Sequence, residues 1–539
     1  MRATPISSAL ARRARQGMAS FSRMTISIDV FTPPLQPPAV IELRLAPGAA
    51  AALRVESHGY IYEVTGNTLM PEQDIRRLLA EAATPQAAID ALSTAYRKAG
   101  HLLVALRAQV QGNNVTLAVV QGQITQIQAA AGVRGFYDGV EFDPQITENQ
   151  IIRRNILAEM YASRSGLGFR PSVGPAPQPG GSALTIDTPE QPGFRPVSGS
   201  LTLGNYGSRY LGGYVAGINL QAQPGDGWLF TSNYSHGLPN WLKDSVGSRY
   251  DAGSLGISKV TPWGIYGANL NRTNYRLGVA GAPYYPAGQT QTAALTGSQL
   301  AWASATARLS LTQTFTHVAY KSTVLGGAYT LSDQNYNYAS VGLQVSRNVQ
   351  IGNLTGAVNG GVTYNLGVSA PRGTMVYDLS SAPQTRFHYW TANLSWQQAL
   401  PQGFSANLSA SGQWGLDTLP GNQQWVVGGY GSLSAFSSSL AGDGGYLLRA
   451  TLQTPPWTWR GWQVALQGFA EQGAATTHYN PANTPGWRLL ADMGLGLTFT
   501  SPWKTNLSIM AARPIAQKNV SAAVFDSQRA VYFVLQQPF

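Results

Sequence analysis

From about Pro196 to Phe539 apolar and polar residues alternate with a period of two. Phe404, Ala406, Leu408 and Ala410 are interleaved with Ser405, Asn407, Ser409 and Ser411. Trp390, Ala392, Leu394 and Trp396 are interleaved with Thr391, Asn393, Ser395 and Gln397, and Leu489 to Phe499 repeats the pattern around Asp492, Gly494, Gly496 and Thr498. A period of two sends successive side chains to opposite faces of a strand. In a soluble sandwich the polar face carries Lys and Glu. Here it carries Ser, Thr, Asn, Gln and Gly, with Tyr and Trp near the segment ends, as in a strand with one face in lipid and the other in a polar lumen. Sixteen such segments begin near Ser198, Leu211, Trp228, Ser248, Gly264, Gln291, Thr306, Asn335, Gly356, Arg386, Phe404, Gly445, Trp462, Arg488, Thr505 and Arg529. They predict a closed, antiparallel, sixteen-stranded transmembrane β-barrel, because an open strand edge is not satisfied in hydrocarbon. A barrel of that size encloses water unless something fills or gates it. The last segment places Val531, Phe533, Leu535 and Phe539 on one face, with Pro538 tolerable at a strand end.

Before Pro196 the texture is different. Phe31–Pro47 is proline-rich and reads as an extended linker. Tyr60–Val64 alternates as a strand, Gly66-Asn67 makes a turn, and Pro71 opens a helix with Ile75, Leu78 and Leu79 on one face. Pro85 opens a second helix carrying Ile89, Leu92 and Tyr96, closed by Gly100. Strands Leu102–Val110 and Val115–Ile127 follow, joined by Gly112-Asn113-Asn114, so the order is β-α-α-β-β. A second, less distinct unit has a helix over Gln145–Met160, entered through Thr147 and Glu148, and a strand at Ala183–Asp187. The plan is mainly β: residues 1–58 as leader and linker, 59–129 and an abbreviated 130–192 as two small α+β domains, and 193–539 as the barrel.

Composition narrows the function. Charged residues are 11% of 539, glycines number 59, and cysteine is absent. No stretch reaches the ~18–20 apolar residues of a membrane-spanning helix. Net charge is +11, yet no basic run follows Arg12, Arg13 and Arg15, so no nucleic-acid partner is expected. Those arginines precede no apolar stretch, and no secretory signal is recognisable. The six histidines are scattered without metal-ligand spacing, and neither a phosphate-binding loop nor a Gly-x-Ser-x-Gly elbow occurs. No catalysis, metal or cofactor is expected.

Several segments, taken in order, resemble one family. Val64 to Leu69, with Gly66 and Asn67, and Ala95 to Gly100, with Tyr96, resemble a first POTRA domain. Leu201 to Arg209 resembles an opening barrel strand around Asn205, Tyr206 and Gly207, with Gly204 replacing the usual aspartate. Gly428-Gly429 through Leu433, Ser434, Ala435 and Phe436, then Gly442 and Asp443 to Arg449, resembles an inward-folding sixth loop, at about 424–444, and the strand after it. Phe469-Ala470-Glu471-Gln472-Gly473 resembles a Phe-x-Asp-x-Gly strand. Together they resemble the two-partner secretion transporters (TpsB, the haemolysin secretion/activation type). The terminal aromatic strand, with Phe533, Leu535 and Phe539, resembles the signal read by the barrel-assembly machinery. The resemblance implies a monomeric outer-membrane pore with periplasmic POTRA domains that recognise a secreted passenger protein, exported without ATP. The alternative is a barrel-assembly factor or an exporter of another substrate on the same architecture.

One departure stands out. The family's loop tip carries an arginine thought to pair with the aspartate of the facing strand, and Ser434 occupies that position. No Lys or Arg occurs between Arg386 and Arg449. Glu471, on the lumen face with Gln463 and Gln467, is therefore expected to lack its cation, with the loop inside the lumen but held less firmly or by other contacts. Ser8–Ser22 reads as a disordered leader or as a basic amphipathic helix that plugs the pore.

Overall fold

The computed structural model describes residues 52–539, apart from residues 102, 144, 179–180, 209–210, 242–245, 279–284, 369–373, 378–384, 437–438, 479–485 and 521–530. The linker Phe31–Pro47 and the segment Ser8–Ser22 lie outside the described residues.

The first unit contains β1 (Leu53–Ser57), β2 (Tyr60–Thr65), α1 (Glu72–Glu81), α2 (Pro85–Lys98), β3 (Val104–Gln111) and β4 (Asn114–Gln121). Its sheet runs β1-β2-β4-β3, with β2 and β4 parallel. The helices bury Ile75, Leu79, Leu92 and Tyr96 against Tyr62, Val64 and Leu117. Thr84 caps α2 by accepting a hydrogen bond from the Ala87 amide (3.2 Å), and Pro85 fits the first helical turn, where no amide is needed. β1 is one strand more than the sequence pattern suggested. It draws Leu53 and Val55 into the core from a stretch read as linker, where so short an alternation carries little signal.

The second unit contains β5 (Gln123–Ala129), α3 (Glu148–Arg164), β6 (Arg170–Pro175) and β7 (Gly181–Asp187), with sheet order β5-β7-β6. What reads as one strand over Val115–Ile127 is two strands in different sheets. They part at Gly122, where a Cβ would lie 2.8 Å from the Leu103 carbonyl oxygen. β6 escapes sequence reading because Pro171 and Pro175 disguise it, and an edge strand tolerates them. α3 starts at a capping box formed by Thr147 and Gln150 and continues to Arg164, past its expected end at Met160.

The barrel strands are β8 (Val197–Gly204), β9 (Tyr214–Ala222), β10 (Trp228–Leu238), β11 (Arg249–Thr261), β12 (Gly264–Arg276), β13 (Ala287–Ala303), β14 (Ala307–Val324), β15 (Tyr329–Ile351) and β16 (Leu354–Val368). After the short β17 (Thr374–Tyr377) come β18 (His388–Ala399) and β19 (Ser405–Gly415). A small hairpin of β20 (Trp425–Val427) and β21 (Leu440–Gly442) interrupts the ring. β22 (Gly444–Gln453), the short β23 (Trp457–Trp459), β24 (Trp462–Thr476), β25 (Trp487–Thr500), β26 (Asn506–Lys518) and β27 (Val531–Pro538) complete it. β17 and β23 only lengthen the ladders on β15 and β24, so sixteen full antiparallel strands close the ring, with β27 on β8. Each expected strand start lies within one of them or no more than three residues before it, Arg529 itself falling outside the described residues. The largest disagreement is β15, expected from Asn335 and starting at Tyr329.

The outer surface exposes Leu255, Leu270, Leu295, Phe315, Val341, Leu394 and Leu495 in a band. Trp263, Trp302, Trp459 and Trp503 border it at one end, and Trp390, Trp414 and Trp487 at the other. Inside, cross-strand polar pairs line the wall: Asn233 to Ser254 (3.0 Å), Ser340 to Asn365 (2.7 Å) and Ser346 to Asn359 (2.6 Å). α3 docks on the rim of short turns. Arg164 donates to the Gly227 carbonyl and Ser258 Oγ (both 3.2 Å), Tyr161 donates to Asp226 (2.8 Å), and Val260 and Ala303 join the second unit's core.

Candidate functional site

Between β19 and β22 the chain leaves the rim and turns into the lumen. Its descending leg is anchored on the wall of β15 and β18. Gln423 accepts from Tyr389 (2.7 Å) and donates to the Tyr336 hydroxyl (3.1 Å), while Leu419 packs with Tyr336, Tyr338, Phe387 and Tyr389. The β20–β21 hairpin then carries the tip. Gly428 and Gly429 have φ of +119° and +87°, which lets the chain reverse tightly. The Gly429 amide donates to the Phe436 carbonyl (2.9 Å), and Gly428 donates to Ser432 Oγ (3.1 Å).

The tip lies on β24 and β25. Leu433, Ala435 and Phe436 are fully buried with Val427, Leu440, Ala475 and Leu490. Gly473 on β24 leaves room for this: a Cβ there would come within 3.2 Å of Val427 and 3.3 Å of Leu433. Two carboxylates directly opposite in the sheet register, Glu471 and Asp492, point at the tip. The Ser434 amide donates to Glu471 Oε2 (2.8 Å) and the Ala435 amide to Asp492 Oδ2 (2.7 Å). Both carboxyl groups are shut from solvent, so no water competes for these two bonds.

Glu471 does not lack a cation. Arg449, on the neighbouring β22 and directly opposite in register, puts Nε 3.0 Å from Glu471 Oε1. The contact is a charge contact rather than an aligned hydrogen bond, since Oε1 has no hydrogen-bond donor. The guanidinium also sits 5.8 Å from the Phe469 ring centroid. The sequence expectation of an unpaired Glu471 is therefore corrected: the charge comes from the barrel wall, not from the loop. The Ser434 hydroxyl takes no part and is buried without a hydrogen-bond partner among the described residues.

Asp443 closes the loop's exit. Its carboxylate accepts from the Leu419 amide and the His478 amide (2.8 Å each), tying both loop legs to the connection after β24. Gly442 approaches the Thr476 carbonyl so closely that a Cβ would lie 2.3 Å from its oxygen.

Tyr430 reaches a third sector of the wall, its ring centroid 5.5 Å from both Tyr206 and Tyr532. These flank the junction of β8 and β27. Here Asn205 extends the ladder with its side chain, accepting from the Phe533 amide (2.7 Å) and donating to the Val531 carbonyl (3.0 Å). Gly207 lies beside Gly213, to whose carbonyl its amide donates (3.0 Å), Leu535 pairs with Leu203, and Phe539 exchanges backbone hydrogen bonds with Gly199. Gly66, Asn67, Tyr96 and Gly100 gather separately, in the first unit. Asn67 accepts from the Tyr96 hydroxyl (2.7 Å), while Gly66 and Gly100 adopt φ of +76° and +86°.

Sequence reasoning missed Arg449, Asp492 and Tyr430 as members of the site. The parity of β22 puts Arg449 on the lumen face, but its place opposite Glu471 follows only from the β22–β24 register. Nothing in the sequence marks Tyr430.

The family profile described as haemolysin secretion/activation protein ShlB/FhaC/HecB matches residues 180–499, more than half of the chain. The outer membrane transporter CdiB of Dickeya dadantii (strain 3937) is 23% identical over 305 residues, which cover 54% of this chain. That match spans about half of the relative's own length, 51%. CdiB from Escherichia coli has a similar fold, with a TM-score of 0.72 at 18% identity over 98% of this chain and 96% of that one. CdiB from Acinetobacter baumannii gives 0.68 at 16% identity, with the same coverage.

Proposed function

The chain belongs to the haemolysin secretion/activation (ShlB/FhaC/HecB) family, and from that we propose that it exports a partner protein from the periplasm to the cell surface or medium by two-partner secretion. The barrel resides in the outer membrane. In this reading the first unit (β1 to β4) and the second (β5 to β7) are POTRA domains, with their boundary at Gly122 rather than at Ala129, receiving an extended passenger at the rim of short turns. Residues 193–539 conduct it past Ser, Asn and Gln side chains that hydrate an unfolded chain without gripping it. No nucleotide is consumed, and folding of the passenger outside biases its direction.

The observation that carries the reading is how the inward loop is held. The tip shares only a small apolar core with the wall, Leu433 and Phe436 against Ala475 and Leu490. Its polar hold is two backbone hydrogen bonds to wall carboxyl groups, beside which Arg449 stands, contacts that water can replace when the loop leaves. Glu471, Phe469 and Gly473 then serve as the seat, Leu433 to Phe436 as the seated part, and Phe533, Leu535 and Phe539 as the strand presented to the assembly machinery. A single barrel suffices for one passenger. The test is co-expression with a candidate passenger carrying an epitope tag. Tagged protein reaches the medium only with the intact chain, and deleting residues 53–187 leaves it in the periplasm. Export that persists after that deletion would sink the assigned role of the periplasmic units.

A further inference from the structure

The outward face of β10–β15 changes character above the apolar band. Parity puts Leu255, Leu270, Leu295 and Phe315 on the lipid side. The same faces, continued away from the periplasmic rim, carry His236, Asp251, Arg249, Arg272, Arg276, Gln289 and Lys321. Neighbouring members are linked across the strands. His236 pairs directly with Asp251 in register, Asn274 with Gln289, and Gln289 with Lys321. Arg272 donates to Gln289 (3.4 Å), and Lys321 lies 4.0 Å from Asp333.

Four cations thus face two carboxylates. Asp251 is already engaged by Arg249 (2.6 Å), His236 (2.8 Å) and Tyr234 (2.7 Å). Among the described residues, Arg272 and Arg276 have no ion-pair partner. Arg249 and Arg276 stand directly opposite each other in register. Like charges so placed repel and destabilise a sheet, unless an anion sits between them. The next strands round the ring differ: at their outer end β16, β18 and β19 present Leu366, Val368, Trp390, Trp414 and Leu416.

The position identifies the anion. At ~3.3 Å per residue, Arg272 lies one outward step, about 7 Å along the strand, beyond lipid-facing Leu270. That is where hydrocarbon gives way to headgroups, and long cationic side chains extend toward that interface. Arginine matches phosphate with paired N–H donors. We propose that β10–β15 hold the phosphate-bearing headgroup of an outer-leaflet lipid between Arg249, Arg272, Arg276 and Lys321, with its acyl chains on Leu255, Leu270 and Leu295. The assignment rests on the outer-membrane location and is independent of what the barrel exports.

The test uses the full chain purified in non-ionic detergent, incubated with bis-phosphorylated lipid A, washed and assayed for bound lipid by native mass spectrometry. Wild type is expected to retain lipid on the order of tenfold better than the Arg272→Ser/Arg276→Ser variant. Dephosphorylated lipid A should bind wild type no better than the variant binds the intact lipid, a comparison that needs no substitution. Heat-modifiable migration in gels confirms that the variant is folded. Equal retention by the two proteins overturns the proposal. So does displacement of lipid A by equimolar inorganic phosphate, which would indicate a site for the free ion. Passenger export is read separately, so failure of the secretion reading leaves this outcome unaffected.

Discussion

The seat of the loop tip uses backbone amides at 434 and 435, and this decides what substitution can do there. Side chains at these positions are free to vary as long as each keeps its N–H and fits the buried space. Ala435→Pro removes one donor to the buried Asp492 carboxyl group, and a buried acceptor left unsatisfied costs about 1–3 kcal/mol. The loop-out population should rise by about ten- to a hundredfold, read as open time in single-channel recordings, while Ala435→Gly stays close to wild type. Arg449→Gln leaves Glu471 buried without its cation and should open the pore further. Adding Ser434→Arg to that variant returns a cation from the loop side and should restore the closed state, whereas Ser434→Arg alone changes little. If the double variant is as open as Arg449→Gln alone, the loop and wall positions are not equivalent. Much of this was out of reach in the sequence. An amide donor has no residue signature, and the pairing of Arg449 with Glu471 depends on β22 and β24 being neighbours in register.

At the scale of elements, α3 decides how the periplasmic units meet the barrel. Its last turn is buried on the rim, where desolvation lowers the Arg164 guanidinium to about 10. One turn back, Glu159 is buried enough to raise its carboxyl to about 7 from an ordinary 4.5, against the opposing pull of Arg308. Between those two values the folded chain keeps a proton that the unfolded chain has lost. The contribution to stability is therefore greatest below about 4.5 and falls as the pH rises to about 7. Protection of the α3 amides, taken against the intrinsic exchange rate at each pH, should fall between pH 5 and pH 8 in wild type, and Glu159→Gln should flatten that fall and protect α3 more at pH 8. Arg164→Met should loosen the same helix at every pH, by losing its bonds to Gly227 and Ser258. α3 was legible because Thr147 and Glu148 mark its entry. β1 and β6 were not, because one is too short to show a period and the other carries two prolines.

For the whole molecule, alternation alone defined the ring, since each strand repeats the same two-faced pattern and tolerates error at its ends. What crosses the ring was less visible. The inward loop touches three sectors: Tyr336 and Tyr389 on one side, Glu471 and Asp492 on another, and Tyr206 and Tyr532 at the closing junction. Tyr430→Ala, which removes only the third contact, should lower the temperature at which the folded form converts to the unfolded gel band by several degrees, with closed-state conductance nearly unchanged. That third contact bears on how the molecule is built. Tyr430 can be held between Tyr206 and Tyr532 only when the first and last strands are side by side, and the β27–β8 ladder is among the shortest in the ring. Loop capture and ring closure are therefore coupled in the folded barrel: a ring closed around the seated loop gains the tyrosine contacts at its own seam, and a ring closed without it forgoes them.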